Sequence, residues 1–156
     1  MSATPFGDRL VCQVGLMVEN IERTAQKYCE IFGVEMPPVH VTPAYDVTET
    51  TYRGEPCDAT AKLVFFDFGQ VQIELIEPDM QPSVWRDYLN EHGESVHHIA
   101  FIVKDTGAAV AYLAGHGIDV LQQGLYGDRG GMYTYLDSAP ALGVMLELLE
   151  NFPQPR

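Results

Sequence analysis

The run VQIELIE, Val71 to Glu77, returns near the end of the chain as VMLELLE, Val144 to Glu150. Superposed, the two read V-x-[IL]-E-L-[IL]-E, with Glu74 over Glu147 and Glu77 over Glu150. A second pair precedes them in the same order. QVGLMVEN, 13–20, lies over HIAFIVKD, 98–105, placing Gln13 over His98 and Asn20 over Asp105. The first pair is offset by 73 residues (144 − 71) and the second by 85 (98 − 13). One matched pair of short strands can arise by chance. Two pairs in the same order point to a duplicated unit, and that restricts the fold more than composition does.

Each unit has the same predicted elements. VCQVGLMVEN alternates apolar residues as a strand, and Asn20 then caps a helix. Ile21, Ala25, Tyr28 and Phe32 fall on one face of that helix, and Gly33 stops it. After the Pro-rich MPPVHVTP come strand-like runs at about Tyr45–Tyr52, Ala61–Phe68 and Val71–Glu77. In the second unit HHIAFIVKD is the strand and Asp105 the cap. Ala109, Val110 and Leu113 form the inner face and Gly117 the stop. IDVLQQG, MYTYLDS and VMLELLE follow as strands. The order is β-α-β-β-β, twice. PSVWRDYLNEHG between them reads as a linking helix, capped by Ser83 and stopped by Gly93, with Arg86, Asp87 and Glu91 on a solvated face. The expected organisation is a first module over 10–78, a linker over 79–96, a second module over 97–150, and loose ends at 1–9 and 151–156.

The formal charge of −13 disfavours nucleic acid and anionic membrane as partners, because both need a basic surface. No apolar run is long enough to span a bilayer, and MSATPFGDR has no signal-peptide core, so the expected location is the cytoplasm. Three cysteines, Cys12, Cys29 and Cys57, form no C-x-x-C motif and read as thiols of a reducing compartment.

Strand alternation explains the repeated carboxylate. Ile73 and Leu75 point one way and Glu74 the other; Leu146 and Leu148 oppose Glu147 in the same manner. The apolar faces are expected against the helices, leaving Glu74 and Glu147 on the concave side. Gln13 and His98 occupy matching positions on the opening strands. Pseudo-twofold symmetry would then bring all four together. A carboxylate in an apolar strand is costly unless paired or ligating, and a divalent metal resolves the cost. Three oxygens and one imidazole suit Zn²⁺, Ni²⁺, Co²⁺, Mn²⁺ or Fe²⁺ in an open site, with Gln13 ligating or bonding a ligated water. His97 is expected on the opposite face as a structural residue. Glu77 and Glu150 are expected in solvent at strand ends, and Lys62 at the surface. The Gly-rich GLYGDRGGMYTY, 124–135, reads as a hairpin at the cavity mouth. It offers Arg129 for an anionic group and Tyr133 and Tyr135 as substrate contacts.

From Leu10 to Glu150 the chain resembles the vicinal oxygen chelate superfamily, which includes glyoxalases, bleomycin-resistance proteins and extradiol dioxygenases. VCQVGLMVEN, QIELIEP, GESVHHIAFIV and VMLELLE carry the resemblance. GESVHHIAFIV after a linking helix looks most like methylmalonyl-CoA epimerases; the Gln/Glu/His/Glu set looks like one that glyoxalase I enzymes use. The resemblance implies an α+β fold, with two tandem βαβββ modules curving one mixed sheet around a metal-binding cavity. It implies one divalent metal on Gln13, Glu74, His98 and Glu147, and a homodimer. It also implies an isomerase or lyase acting on a small carbonyl compound or thioester. Glu147 is the first candidate for the proton-transferring base and Glu74 the second. A non-catalytic, drug-sequestering protein is the alternative. An extradiol dioxygenase would need two histidines and one carboxylate, and Gln13 stands where one histidine should be.

Overall fold

The computed structural model describes residues 4–153. The opening strand β1, Val11–Met17, feeds helix α1, Ile21–Phe32. Asn20 caps it by accepting from the Arg23 amide at 2.8 Å, and Gly33 ends it at φ +66°, where only glycine is unstrained. The first half continues through β2 (His40–Val41), β5 (Ala61–Asp67) and β6 (Gln72–Pro78). The second half repeats the plan: β7 (Ser95–Ile102), α4 (Thr106–Ala114), β8 (Val120–Leu125), β9 (Gly131–Leu136) and β10 (Met145–Asn151). Asp105 caps α4 through the Ala108 amide at 2.8 Å. Helix α3, Val84–His92, links the halves, with Ser83 as its cap.

With the short β3 (Thr51–Tyr52) and β4 (Glu55–Pro56), the described strands join one mixed sheet in the order β2-β5-β6-β1-β7-β10-β9-β8-β3-β4. The arrangement β2-β5-β6-β1 in the first half is mirrored by β8-β9-β10-β7 in the second. Strands β1 and β6 are parallel, as are β7 and β10, while β1 and β7 run antiparallel across the centre. This is the expected α+β arrangement. On the outer side, Ile21 and Ala25 of α1 pack on Val64, Phe66 and Leu75. Ala109 and Leu113 of α4 pack on Leu136, Leu146 and Leu148. Leu75 and Leu148 are fully buried, and each such side chain contributes about 1.5–3 kcal/mol. On the inner side α3 inserts Val84, Trp85 and Leu89 among Met17, Ile76 and Met145.

Several expectations need correction. Tyr45–Tyr52 is not one strand: α2 occupies Tyr45–Thr48, and only β3, Thr51–Tyr52, is extended. β3 pairs with a second short strand, β4 (Glu55–Pro56), and with β8, so this segment crosses from the first half to the far edge of the second. MPPVHVTP is not all loop, because β2 pairs with β5. Arg86 does not lie free in solvent: its guanidinium donates to the carbonyls of Pro78 and Asp79 at 2.6 and 2.8 Å. Asp87 is exposed, as expected, and accepts from the Tyr52 hydroxyl. Glu77 and Glu150 are not idle either. Glu77 accepts from the Ile21 amide at 2.7 Å, and Glu150 from the Thr106 amide at 2.8 Å. Each places a carboxylate on the first turn of its own half's helix, where unpaired N–H groups favour negative charge. At the ends, Phe6 packs on Phe101 and Phe152 bonds to Gly130, so the ordered chain reaches beyond 10–150; residues 1–3 and 154–156 of the expected loose ends lie outside the described part.

Candidate metal centre

The repeated carboxylates and their partners meet on the inner side of the four central strands. Gln13 comes from β1, Glu74 from β6, His98 from β7 and Glu147 from β10. None is more than 6% exposed. His98 Nε2 lies 2.9 Å from Glu147 Oε2, 3.2 Å from Gln13 Oε1 and 3.4 Å from Glu74 Oε2. All four come from one chain.

This donor set fits a divalent cation. Ligands about 2.1 Å from one ion stand about 3.0 Å apart at right angles and about 3.4 Å apart at tetrahedral angles. The His98 separations span that interval. Glu74, His98 and Glu147 each offer a ligand atom within 4.8 Å of the others. The Gln13 amide carries a second indication. With Oε1 in the cluster it faces only acceptors, which is unfavourable unless a cation sits between them. Turned end for end, its NH₂ instead donates to Glu147 Oε2 at 3.0 Å and Glu74 Oε2 at 3.2 Å.

Two residues not foreseen from sequence hold these ligands in place. Gln72, paired with Gln13 across β1–β6, accepts from Gln13 Nε2 at 2.7 Å. That bond goes with the orientation that leaves Oε1 in the cluster. His97 was expected on the opposite face. Instead, the β1–β7 register shifts between Gly15 and Leu16, making His97 the extra residue of a bulge. The bulge turns its ring to the same side as that of His98, where it packs on Tyr88 and Tyr135. His97 Nδ1 lies 2.9 Å from His98 Nδ1. If His98 offers its Nε2 lone pair to the floor, its Nδ1–H donates to His97, which then carries its own proton on Nε2. That Nε2 is buried without a partner. Burial, then the nearby His98 and His92, hold His97 well below the usual histidine range and therefore neutral.

Gly15 makes room for the imidazole. It pairs with His98 across β1–β7, and a methyl group there would stand 2.0 Å from His98 Cε1. A glycine inside an apolar strand was the visible signal of that close approach. Burial chiefly, then the charge of Glu147, raises Glu74 above the ordinary carboxylate range. Burial pulls His98 down, but the charge and hydrogen bond of Glu147, with Glu74, outweigh it and raise the imidazole.

Gln13, Gln72, Glu74 and Glu147 form part of the lining of a cavity of about 520 Å³. Tyr133 and Tyr135 line it as well. Tyr135 accepts from Trp85 Nε1 at 3.1 Å; Tyr133 accepts from Gln122 Nε2 at 3.3 Å and lies 3.2 Å from Thr50 Oγ1. Arg129 is not brought to this group. It sits at φ +58° in the β8–β9 turn and donates to the Val47 carbonyl at 2.8 Å and to Glu49 at 2.5 Å. Its guanidinium pins the segment that crosses between the halves.

A profile of the glyoxalase/bleomycin resistance protein/dioxygenase superfamily matches residues 12–135. The chain belongs to that superfamily. The uncharacterized protein YqjC of Bacillus subtilis (strain 168) is 28% identical over 89 residues, 56% of this chain and 64% of that protein. The alignment thus spans less than two thirds of the curated relative. Among solved structures, methylmalonyl-CoA epimerase from Mycobacterium tuberculosis superposes with a TM-score of 0.65 at 20% identity, over 98% of this chain and 93% of that one. The hypothetical protein BH1468 from Bacillus halodurans C-125 gives 0.63 at 21%, over 94% and 96%. Streptomyces coelicolor methylmalonyl-CoA epimerase, in complex with 2-nitronate-propionyl-CoA, gives 0.62 at 22%, over 93% and 97%. At these identities the likeness establishes the shared fold.

Proposed function

We propose that this protein is a metal-dependent isomerase or lyase that removes a proton from the carbon beside a carbonyl and returns it. The observation that carries the reading is the meeting of Gln13 Oε1, Glu74 Oε2, His98 Nε2 and Glu147 Oε2 at a small-molecule cavity. One divalent ion held by these residues supplies a Lewis acid that polarises the carbonyl oxygen and offsets the charge left when the proton departs.

The chain's own groups do the rest. Gln72 and His97 orient Gln13 and His98. Glu147 is the first candidate for the base and Glu74 the second. In each, Oε2 belongs to the cluster, and Oε1 is the second oxygen that can accept a proton. The two carboxylates approach from outer strands β6 and β10, on opposite sides of the β1–β7 pair. That placement supports delivery of the proton to either face. Return to the same carbon gives epimerisation, and return to its neighbour gives isomerisation. Tyr133, Tyr135 and Trp85 enclose the substrate and limit water.

The reading extends to a cytoplasmic protein, which the three unpaired cysteines support, and to a homodimer, which sedimentation tests. Among the described residues no helix is long and apolar enough to cross a membrane. The decisive experiment combines metal analysis by plasma mass spectrometry with α-proton exchange followed by NMR in D₂O. One ion per chain, lost in the His98→Ala, Glu147→Ala double variant, together with exchange on a small carbonyl compound, a thioester or a hemithioacetal, is the expected result. Wild-type protein that takes up no Zn²⁺, Co²⁺ or Ni²⁺ sinks the reading, and ligand sequestration replaces it.

A further inference from the structure

The floor of the cavity is carboxylate-rich, whereas its walls carry no acid and mix apolar side chains with His40, Thr42, Thr48 and Thr50. Above the four floor residues rise Leu63, Phe65, Trp85, Leu125, Tyr133 and Leu149. Among the described residues no lysine or arginine lines it. Most of the described cations are engaged elsewhere. Arg23 pairs with Glu94, Lys27 with Glu30, Arg53 with Asp87, and Lys62 with Glu22 and Glu77. Arg129 is held by Glu49, and Arg86 by backbone carbonyls. Apart from His98 at the floor, only His40 among the described lining residues carries a basic nitrogen, and its ring packs beside Phe65 at 6.0 Å.

The charge arithmetic is equally one-sided. A divalent ion on the floor cancels Glu74 and Glu147 and leaves nothing over for an anionic tail. The chain as a whole carries −13. A phosphate brought to these walls would lose water without gaining a cationic side chain, and the Thr48 and Thr50 hydroxyls there already donate to the Ala44 carbonyl and to Thr48. An uncharged ring loses nothing there and gains contact with Phe65, Trp85 and Tyr133, at the offset and edge geometries aromatic pairs prefer. The volume of about 520 Å³ lies within the range of small-ligand sites.

We infer that this cavity takes an uncharged carbonyl compound with an aromatic or branched alkyl body, and not a phosphate-bearing thioester. The inference rests on the metal-dependent reading above and narrows its substrate. The carbonyl oxygen addresses the Gln13–Glu74–His98–Glu147 floor. The body lies between the β5 wall, Leu63 and Phe65, and the Trp85–Tyr133 wall. Tyr135, which accepts from Trp85 Nε1, has its own hydroxyl proton left to donate.

The test uses Trp85, the one tryptophan of the chain, as a reporter on the cavity wall. Its emission, checked by calorimetry, is followed while Zn²⁺-loaded protein is titrated with 1-phenyl-1,2-propanedione and, separately, with propionyl-CoA. Both titrations are run at about 0.05 M and about 0.5 M salt, where screening lengths differ severalfold. The expected result is binding of the diketone at least about tenfold tighter than the thioester, with a salt effect below about twofold. Leu63→Lys, checked for folding by circular dichroism, should weaken the diketone and strengthen the thioester. Tighter binding of propionyl-CoA, weakening steeply with salt, overturns the inference, and so does binding of neither compound. Metal content measured on the same samples separates the two claims. Diketone binding by protein that holds no ion keeps the substrate class and removes the metal-dependent reading. Thioester preference by loaded protein does the reverse.

Discussion

Glu74 and Glu147 stand at the same position in the two halves, yet their neighbours differ at every step outward. Across the parallel pair, Gln13 faces Gln72 in the first half, and His98 faces Met145 in the second. Across the antiparallel pair, Glu74 faces Phe65, and Glu147 faces Tyr135. One place further along the same strand face, the first half has Leu63 and the second Tyr133. What both halves keep is the carboxylate in the cavity and the second carboxylate on the helix N-terminus. What diverged is everything that gives the floor polarity and direction. The first half supplies a neutral amide, steered by a second amide, and an apolar wall. The second supplies the imidazole, its histidine support and two anchored phenols. The two halves share a frame, and the side chains around the Gln13–Glu74–His98–Glu147 cluster break its symmetry.

The comparison is most directly broken at the carboxylates. Glu147→Gln is expected to lower α-proton exchange by about 10² to 10⁴-fold at saturating metal, and Glu74→Gln by less. Equal losses, measured side by side by NMR, would mean that the halves share the base. Exchanging second partners comes next. Gln72→Met copies the second half into the first, frees the Gln13 amide to turn, and should weaken metal affinity about 10 to 100-fold. Met145→Gln should leave it within about threefold, since His98 takes its orientation from His97. Competition titration with a chelating dye reads both.

Gly15→Ala drives a methyl group into the His98 ring. Overpacking of this kind costs about 1–3 kcal/mol, and the displaced imidazole should reduce metal uptake as well. Its counterpart, Ala100→Gly, should cost no more than about 1 kcal/mol and leave metal uptake intact. Glu77→Gln and Glu150→Gln should be closely matched, each costing about 0.3–1 kcal/mol from its helix terminus. A clear inequality in melting temperature between them would argue against equivalent roles.

The smallest effect is alkaline. Burial pushes Tyr133 up to about 12 and raises Tyr135 well above its ordinary value of 10.0. Above pH 10 the unfolded phenols lose protons that the folded ones keep, so stability falls as pH rises from 10 towards 12. Tyr133→Leu with Tyr135→Phe gives the second half the wall of the first and should flatten that slope in urea unfolding. An unchanged slope would move the alkaline sensitivity elsewhere.

Much of this was legible in the sequence because it repeats. The four inward residues follow from strand alternation applied to two matched runs, and Asn20, Ser83 and Asp105 announce their helices. The misreadings share one cause, in that tertiary pairing overrode local pattern. Tyr-Asp-Val-Thr-Glu-Thr-Thr-Tyr is rich in β-formers, yet its first four residues turn helical where the chain crosses the cavity. His97 broke alternation because a bulge, invisible in composition, inserted one residue. Glu77 and Glu150 looked solvated because their partners are backbone amides more than forty residues away. Arg129 looked available for an anion because its acceptors, Val47 and Glu49, lie in that same crossing segment.

The crossing segment also bears on how the molecule comes apart. Residues of the first half are hydrogen-bonded to the last strand pair of the second, through β3 on β8 and Thr50 beside Tyr133. A duplicated protein built only of mirrored modules could be cut at the linker and recovered as two complementary fragments. Here a cut between the modules leaves one fragment carrying the strap and the other carrying its buckle. Neither then keeps a closed edge, and limited proteolysis near Gly93 should yield a nicked but undissociated protein that melts in a single transition.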